Sequence, residues 1–184
     1  MIFIALQYMR KLKNEELNRL DIEAFKESEK VPIVVVLDNV RSMNNVGSAF
    51  RTGDAFAIES IALCGITARP PHREIHKTAL GATDSVDWQY YKTTKEACES
   101  LKGKGYKIYA VEQAEGSTSL ETFSPTEKVA IVFGNEVFGV EDEIIALADG
   151  CLEIPQFGTK HSLNISVSIG VVLWDLVTKI KFRS

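Results

Sequence analysis

The sequence predicts an α/β domain with a mainly parallel sheet flanked by helices. Strand and helix patterns alternate several times along the 184 residues, as expected of parallel βαβ units. Two of the strands, Ile33 to Leu37 and Val129 to Phe133, are continuous apolar runs, which is typical of strands covered on both faces. A hydrophobic content of 45% is sufficient for the core of one domain of this size.

The N-terminal residues differ in character from the rest of the chain. Residues 9 to 29 carry Leu12, Leu17, Leu20 and Phe25 among many charges, which predicts one or two short amphipathic helices before Pro32. We therefore divide the chain into an N-terminal helical arm, residues 1–31, and one α/β domain, residues 32–184.

The first strand leads into a polar stretch. The Asn and Ser residues between Asp38 and Thr52 suit a loop and a helix N-cap, and the helix is predicted to continue to about Phe56. Gly47 and Arg51 lie four residues apart on one face of this helix, so the glycine would leave room beside the guanidinium. Taken alone, Arg51 is most simply explained as a surface ion-pair residue.

The middle of the chain is predicted to hold three more strands and a helix. The strands are Ser60 to Cys64, Val86 to Tyr91 and Tyr106 to Val111, and the helix is Thr94 to Lys102; Glu112 to Pro125 is predicted as a polar loop.

A basic cluster lies in this middle part. It follows the second predicted strand and consists of Arg69, His72, Arg73, His76 and Lys77. It suits either an ordinary solvated loop and short helix or a patch that contacts phosphate. His72 and His76 have helical spacing, but no third ligand is nearby in sequence, so no metal site is predicted.

The last third, Val129 to Val177, is the stretch around which the chain is organised. Its strand ends in the glycine turn Gly134 to Gly139, and an acidic helix, a short strand into Ile154, a polar loop and a long apolar helix from Leu163 onward follow. Gly, Pro and Asn turns at strand ends place ligand-binding groups at one rim of a parallel sheet, where we expect the ligand site. The final helix is apolar nearly all round, so it must be buried in the core or against a second subunit.

Several classes of protein are excluded by composition or by missing motifs. The glycine turn lacks the lysine of a P-loop, and neither a dinucleotide fingerprint nor a G-x-S-x-G elbow is present. A net charge of -4 argues against general electrostatic attraction to nucleic acid. Three scattered cysteines suggest neither disulfides nor zinc, and Met1 to Leu6 is too short to span a membrane, so a cytoplasmic protein without a targeting signal is expected.

Three blocks resemble the SPOUT superfamily, specifically the TrmH-like tRNA/rRNA ribose 2′-O-methyltransferases. The first block carries the pattern Asn-x-Gly-x-x-x-Arg at Asn45, Gly47 and Arg51, and the second is the glycine turn with Glu136. The third is Ile154-Pro155-Gln156 followed by Ser162-Leu163-Asn164-Ile165-Ser166-Val167-Ser168. The resemblance covers the chain from about Pro32 to its end, with Gln156 and Ser168 as mild departures from the Met and Ala of the family.

The resemblance implies a C-terminal trefoil knot, a homodimer and S-adenosylmethionine as cofactor. It assigns the cofactor contacts to four residues in turns at the rim of the sheet, namely Val111, Gly134, Ile154 and Leu163. Transfer RNA or ribosomal RNA is the implied substrate, and no DNA, membrane or metal is expected. RNA would then be contacted by the N-terminal arm, which otherwise forms a solvated face or a dimer contact, by the basic cluster, and by Lys160 and Lys179 to Arg183.

The same resemblance implies the catalytic residues. Arg51 of the neighbouring subunit would activate the ribose hydroxyl, either by orienting it or an adjacent phosphate or by acting as the base, although a guanidinium normally stays protonated. Asn45 and Asn164 would hold Arg51 or the ribose, and Glu136 would pair with or orient the basic group. Ser162 would add a hydroxyl, although alone it is more simply a helix N-cap.

Two other functions remain open at this point. A knotted methyltransferase could act on a base nitrogen, although Asn45, Arg51, Ser162 and Asn164 favour ribose. A non-catalytic RNA-binding or assembly protein could retain the dimeric fold, but it should show a broken motif, and none of the three blocks is broken.

Overall fold

The computed structural model describes residues 9 to 182 and contains one seven-stranded sheet in which every strand pair is parallel. The strand order is β3-β2-β1-β6-β4-β7-β5. The bounds are β1 Val31–Asp38, β2 Ile58–Cys64, β3 Trp88–Tyr91, β4 Lys107–Val111, β5 Thr118–Ser119, β6 Val129–Phe133 and β7 Gly150–Glu153. The predicted parallel α/β class is confirmed, and the short strand β5 lies where the sequence predicts only a loop.

The described part of the chain also contains seven α-helices. They are α1 Ile22–Glu27, α2 Met43–Ala55, α3 Arg73–Ala79, α4 Ala82–Ser85, α5 Thr94–Gly103, α6 Asp142–Leu147 and α7 Ile165–Phe182. A 3-10 turn at Asn14–Leu17 and α1 are the short helices predicted before Pro32. The division into an arm and a domain stays a prediction.

Helices cover both faces of the sheet, as the apolar runs predict. In β1, Ile33, Val35 and Leu37 face the cluster that includes buried side chains of α2, α3 and α7. Val34 and Val36 face the opposite cluster, which includes buried side chains of α5 and α6. Successive side chains of a strand point to opposite faces of the sheet. Because both faces of β1 are covered by a core, the strand requires apolar residues at every position.

The position of β6 in the sheet brings the site together. This strand lies between β1 and β4, and β7 lies on the other side of β4. The carboxyl ends of these four strands, each belonging to a different stretch of sequence, therefore meet at one rim. The trefoil knot implied by the resemblance stays a prediction, because strand order does not specify how the connecting loops pass one another.

Gly47 was expected from the sequence to make room for Arg51. In the structure it serves helix packing instead. A Cβ atom on Gly47 would lie 2.1 Å from Oγ1 of Thr78 and 2.3 Å from the carbonyl oxygen of Ile75, both in α3. The Thr78 hydroxyl also donates to the carbonyl of Asn44 at 3.1 Å. The missing side chain at Gly47 thus allows close contact between α2 and α3.

Lys179 was predicted to belong to a basic RNA-contacting tail, and the structure contradicts this for the lysine itself. Its ammonium group is buried and donates to the carbonyl oxygens of Leu120, Glu121 and Phe123, and it lies 2.6 Å from a carboxylate oxygen of Asp175. A buried ammonium requires such partners. Lys179 therefore fastens the segment after β5 to α7, while Arg183 lies outside the described residues.

Membrane insertion was not expected from the sequence. Between residues 9 and 182, no helix combines the length and the apolar character that crossing a bilayer demands.

Candidate active site

A cavity of about 510 Å³ lies at the rim where β1, β6, β4 and β7 end. All four residues predicted to contact the cofactor line it, namely Val111, Gly134, Ile154 and Leu163. Three of the five predicted catalytic residues, Glu136, Ser162 and Asn164, line the same cavity. Asn45, on α2, is hydrogen-bonded to Asn164, whereas Arg51 does not line the cavity.

The glycine turn forms one wall of the cavity. The backbones of Asn135 and Gly139 exchange two hydrogen bonds of 2.9 Å, and the Asn135 side-chain oxygen accepts from the amides of Val137 and Phe138. A Cβ atom on Gly134 would lie 2.1 Å from the carbonyl carbon of Gly139. Only glycine therefore permits this closed turn, whose backbone faces the cavity.

Glu112, which sequence reasoning missed, holds the far end of this turn. Its carboxylate accepts from the amide of Val140 at 3.1 Å and from the amide of Gln113 at 3.0 Å. Gly139 has a positive φ of 71°, and a Cβ atom there would lie 2.2 Å from the Glu112 carboxylate. An acidic residue directly after a buried strand is the only sequence signal for this role.

Asp38, the last residue of β1, and Asn39, which follows it, form a corner that was also not assigned a role. The fully buried Asp38 carboxylate accepts from the hydroxyl of Thr94 at 2.5 Å and from the amide of Glu141 at 3.3 Å. Asn39 has a positive φ of 53°, and its carbonyl accepts from the side-chain amide of Asn135 at 2.8 Å. The corner thus fastens the loop after β1 to the glycine turn.

Glu136 is held by amide groups and not by the basic side chain that was expected. Its carboxylate accepts from the backbone amides of Arg41 and Ser42, both at 2.9 Å, and from the side-chain amide of Asn45 at 3.0 Å. Burial raises the pKa of Glu136, but these hydrogen bonds outweigh it and bring the pKa below its usual value. Glu136 is therefore ionised at neutral pH and fixes the start of α2.

We expect Glu136→Gln to reduce the free energy of unfolding by about 1 to 2 kcal/mol at neutral pH, because the amide replaces one acceptor oxygen by a donor. A lowered folded-state pKa stabilises the fold above the unfolded-state value, near 4.3, and this contribution is lost as the pH falls through the folded-state pKa. Urea unfolding of both proteins should give the larger difference at about pH 7 and a smaller one at about pH 3.5. An equal difference at both pH values would contradict the role of the ionised carboxylate.

Asn45 and Asn164, which were assigned the same role of holding Arg51 or the ribose, lie next to each other in the structure. The Asn164 amide nitrogen donates to the side-chain oxygen of Asn45 at 3.4 Å, and Asn45 in turn donates to Glu136. The Asn164 side-chain oxygen accepts from the amide of Ser166 at 2.9 Å and from its hydroxyl at 2.6 Å. Asn164 is thus the N-cap of α7, which explains why the helix begins at Ile165 and not at Leu163.

Ser162 is not the cap that its position before the apolar helix suggested. It is exposed at the mouth of the cavity, two residues before the capping Asn164. Its hydroxyl has no hydrogen-bond partner among the described residues, so it is available to a ligand.

Arg51 is exposed on α2 and is not brought to the other predicted catalytic residues within one chain. It follows Asn45 by six residues, so the two lie about 9 Å apart along the helix and are turned about 240° from each other. Asn45 is buried towards Glu136 and Asn164, which leaves Arg51 on a different face of α2. In the chain from residue 9 to residue 182, its guanidinium has neither an ion pair nor a hydrogen bond.

The chain is similar to several known RNA methyltransferases. The tRNA (guanosine(18)-2′-O)-methyltransferase of Thermus thermophilus is 31% identical over 160 residues, which are 87% of this chain and 81% of the relative. The A. aeolicus TrmH/SpoU tRNA modifying enzyme has a similar fold, with a TM-score of 0.78 at 23% identity over 88% of this chain and 83% of the other. The AdoMet-bound rRNA methyltransferase of Sinorhizobium meliloti gives a TM-score of 0.77 at 25% identity over 86% of this chain and 60% of the other.

The family itself is identified by a match that covers most of the chain. Residues 32–174 match the SpoU rRNA Methylase family, and this range includes every residue lining the rim cavity. The family resemblance drawn from the three sequence blocks is thereby confirmed. The chain belongs to the SpoU rRNA methylase family.

Proposed function

We propose that this chain transfers a methyl group from S-adenosylmethionine to a ribose 2′-hydroxyl of a transfer RNA, and that it does so as a cytoplasmic homodimer. The reaction class and the cofactor predicted from the sequence are confirmed by relatives that are named as RNA 2′-O-methyltransferases or bind AdoMet. One feature of the molecule above all supports this function. The glycine turn, the end of β7 and the start of α7 line one cavity beside the linked side chains of Glu136, Asn45 and Asn164.

The rim cavity has the chemistry that S-adenosylmethionine requires. The apolar side chains of Val111, Ile154 and Leu163 can cover the adenine, and the backbone at Gly134 can approach it because no Cβ atom intervenes. The carboxylate of Glu112 supplies negative charge on the same lining. When bound, the cofactor supplies an electrophilic methyl group on a sulfonium.

The chain's own residues must position a weak nucleophile. A ribose 2′-hydroxyl reacts only when it is held in line with the methyl group and its proton has a route away. The guanidinium of Arg51 offers five N–H donors and can orient the hydroxyl or a neighbouring phosphate. Ser162 and Asn164 can bind the ribose at the cavity mouth, since both side chains line it.

A second copy of the chain would bring Arg51 to the cavity. Helix α7 leaves an apolar stripe exposed at helical spacing, with Val167 50%, Val171 38% and Trp174 59% exposed. Burial of such a stripe is favourable, so we assign it to the dimer interface. Helix α2, which carries Arg51, packs beside α7 through Asn45 and Asn164, so its exposed face can reach the partner.

We expect Trp174→Glu to convert the dimer into a monomer, because it places a charge at the most exposed residue of the stripe. Methyl transfer should fall with dimerisation, since Arg51 acts on the partner's cavity. Sedimentation velocity measures the oligomeric state, and Leu80→Glu, at an exposed apolar residue directly after α3, serves as the matched control that stays dimeric. A dimeric and active Trp174→Glu variant would refute the assignment of the stripe.

The substrate can be found by transfer of a labelled methyl group to separate tRNA and rRNA pools from cells that lack the gene. We expect a 2′-O-methylated nucleoside in the tRNA pool, since the Thermus thermophilus relative at 31% identity is named for tRNA. Its name also specifies the ribose oxygen, which favours ribose over a base nitrogen. Label in the rRNA pool would show that the substrate is rRNA and not tRNA. Label on a base would show that a base nitrogen, and not the ribose hydroxyl, accepts the methyl group. Cofactor binding without any transfer would support the non-catalytic alternative.

A further inference from the structure

A second cavity of about 510 Å³ lies along α3, outside the rim cavity. We call it the α3 pocket, and its main side chains are Pro71, His72, Arg73, His76, Asp84 and Trp88. It contains most of the basic cluster noted in the sequence, together with an aromatic residue from the edge strand β3. Neither the cofactor nor the reacting ribose needs these residues.

We infer that the α3 pocket binds one unpaired nucleotide of the RNA substrate at a distance from the methylated ribose. This inference rests on the proposed function. The pocket combines a flat aromatic surface, the guanidinium of Arg73 with two imidazoles, and a carboxylate, which are the groups that bind a base, a phosphate and a base edge respectively.

Trp88 provides the stacking surface. It is 36% exposed although its strand is hydrogen-bonded to β2, so the backbone that carries the indole is held in the sheet while the ring is open to a ligand. Pro71 on the same lining offers a second rigid apolar surface. Stacking of a base on an aromatic side chain favours binding, and it suits unpaired nucleotides because the faces of a base inside a duplex are already covered by its stacked neighbours.

Arg73 and the two histidines provide donors for a phosphate. Nδ1 of His72 accepts from the amide of Glu74 at 3.2 Å, which leaves Nε2–H as the free donor. Arg73 is exposed and has no ion pair within residues 9 to 182, whereas Lys77 is paired with Glu74 at 2.7 Å. Arg73 therefore binds a new anion without breaking an existing contact.

Asp84 distinguishes this pocket from a simple phosphate patch. Its carboxylate is exposed on the lining and has no side-chain partner in the described part of the chain. A carboxylate repels phosphate but accepts from the N–H groups on the edge of guanine or cytosine. Across residues 9 to 182, no three His, Cys, Asp or Glu side chains are arranged to hold a metal ion.

Overall charge gives this pocket particular importance. The chain has a net charge of -4, so attraction to RNA must come from local basic surfaces. Helix α3 packs directly on α2, as the contact between Thr78 and Asn44 shows, and α2 carries Arg51. RNA held in the α3 pocket is thus bound next to the helix that acts on its ribose.

The first test is the steady-state kinetics of Trp88→Ala, Trp88→Phe and Arg73→Gln with tRNA. We expect the alanine and glutamine variants to raise KM for tRNA about tenfold, with kcat and the Kd for S-adenosylmethionine within about twofold of wild type. Trp88→Phe should restore most of the affinity, because it keeps an aromatic face. Lys104→Gln, an exposed lysine at the end of α5, is the control for charge alone and should change KM little.

The second test measures the pocket without catalysis. A five-nucleotide single-stranded RNA should quench the tryptophan fluorescence of the wild type, and most of this quenching should disappear in Trp88→Phe although the RNA still binds by anisotropy. Unchanged KM in both Trp88→Ala and Arg73→Gln, with active wild type, would overturn the inference and leave the proposed function intact. If the wild type methylates no RNA, the proposed function fails, and the fluorescence result still decides whether the pocket binds RNA.

Discussion

We expect Arg51→Ala to lower the rate of methyl transfer about 10²- to 10³-fold while the Kd for S-adenosylmethionine stays within about twofold of wild type. Arg51 is exposed, lies outside the rim cavity and has no hydrogen bond within residues 9 to 182, so its removal leaves the cofactor site and the fold unchanged. Single-turnover transfer and calorimetry measure the two quantities separately. Equal loss of both would contradict a role in orienting the hydroxyl.

Arg51→Lys is the matched variant for this experiment. Lysine keeps the charge but loses the planar fork of donors, so partial activity would indicate charge and near-complete loss would indicate geometry. The source of Arg51 can be tested by co-expressing two differently tagged inactive chains, one with Arg51→Ala and one with Gly134→Ala. If the arginine serves the partner's cavity, the mixed dimer contains one intact site and is active; if it serves its own chain, the mixed dimer stays inactive.

We expect Gly134→Ala to weaken S-adenosylmethionine binding at least about 100-fold and to lower the free energy of unfolding by about 1 to 3 kcal/mol. The added Cβ atom would lie 2.1 to 2.3 Å from the carbonyl group of Gly139 and the amide of Val140, and all three contacts are backbone atoms that cannot rotate away. The turn must open, which changes the backbone wall of the cavity. Calorimetry with the cofactor and urea unfolding measure the two effects.

Gly158→Ala is the control for this change. Gly158 lies on the loop between β7 and α7, has no positive φ, and an added Cβ atom there meets no heavy atom within 4 Å. It should bind the cofactor as the wild type does. Normal cofactor binding by Gly134→Ala would show that the closed turn is not part of the cofactor site.

Much of the fold could be predicted from the sequence because its signals are local. The unbroken apolar runs in β1 and β6 indicate strands with two covered faces, and the Gly and Asn turns mark the functional rim. β5 could not be predicted, because two residues show no period and depend on pairing with β7. The burial of Lys179 could not be predicted either, since a lysine is expected to be exposed unless the carbonyl groups that surround it are known.

The site could be predicted in part for a similar reason. The residues around the rim cavity belong to motifs, so their identity could be carried over from the family resemblance. The partners of Glu136 could not be, because two of its three donors are backbone amides, which are the same for any sequence. The separation of Arg51 from Asn45 could be predicted from the helix period alone, because six residues are far from a whole number of helical turns.

The placement of β6 between β1 and β4 has a consequence for how the chain acquires its structure. During synthesis β1, β2 and β3 emerge first and can pair with one another, since they are neighbours in sequence and in the sheet. The centre of the sheet must wait, because β1 pairs with β6 nearly a hundred residues later, Ile33 opposite Val129. Contacts so distant in sequence make folding slow. The hydrogen-bonding edge of β1 that pairs with β6 thus stays open until β6 has been made. The rim cavity forms only after that edge closes, because the glycine turn directly follows β6.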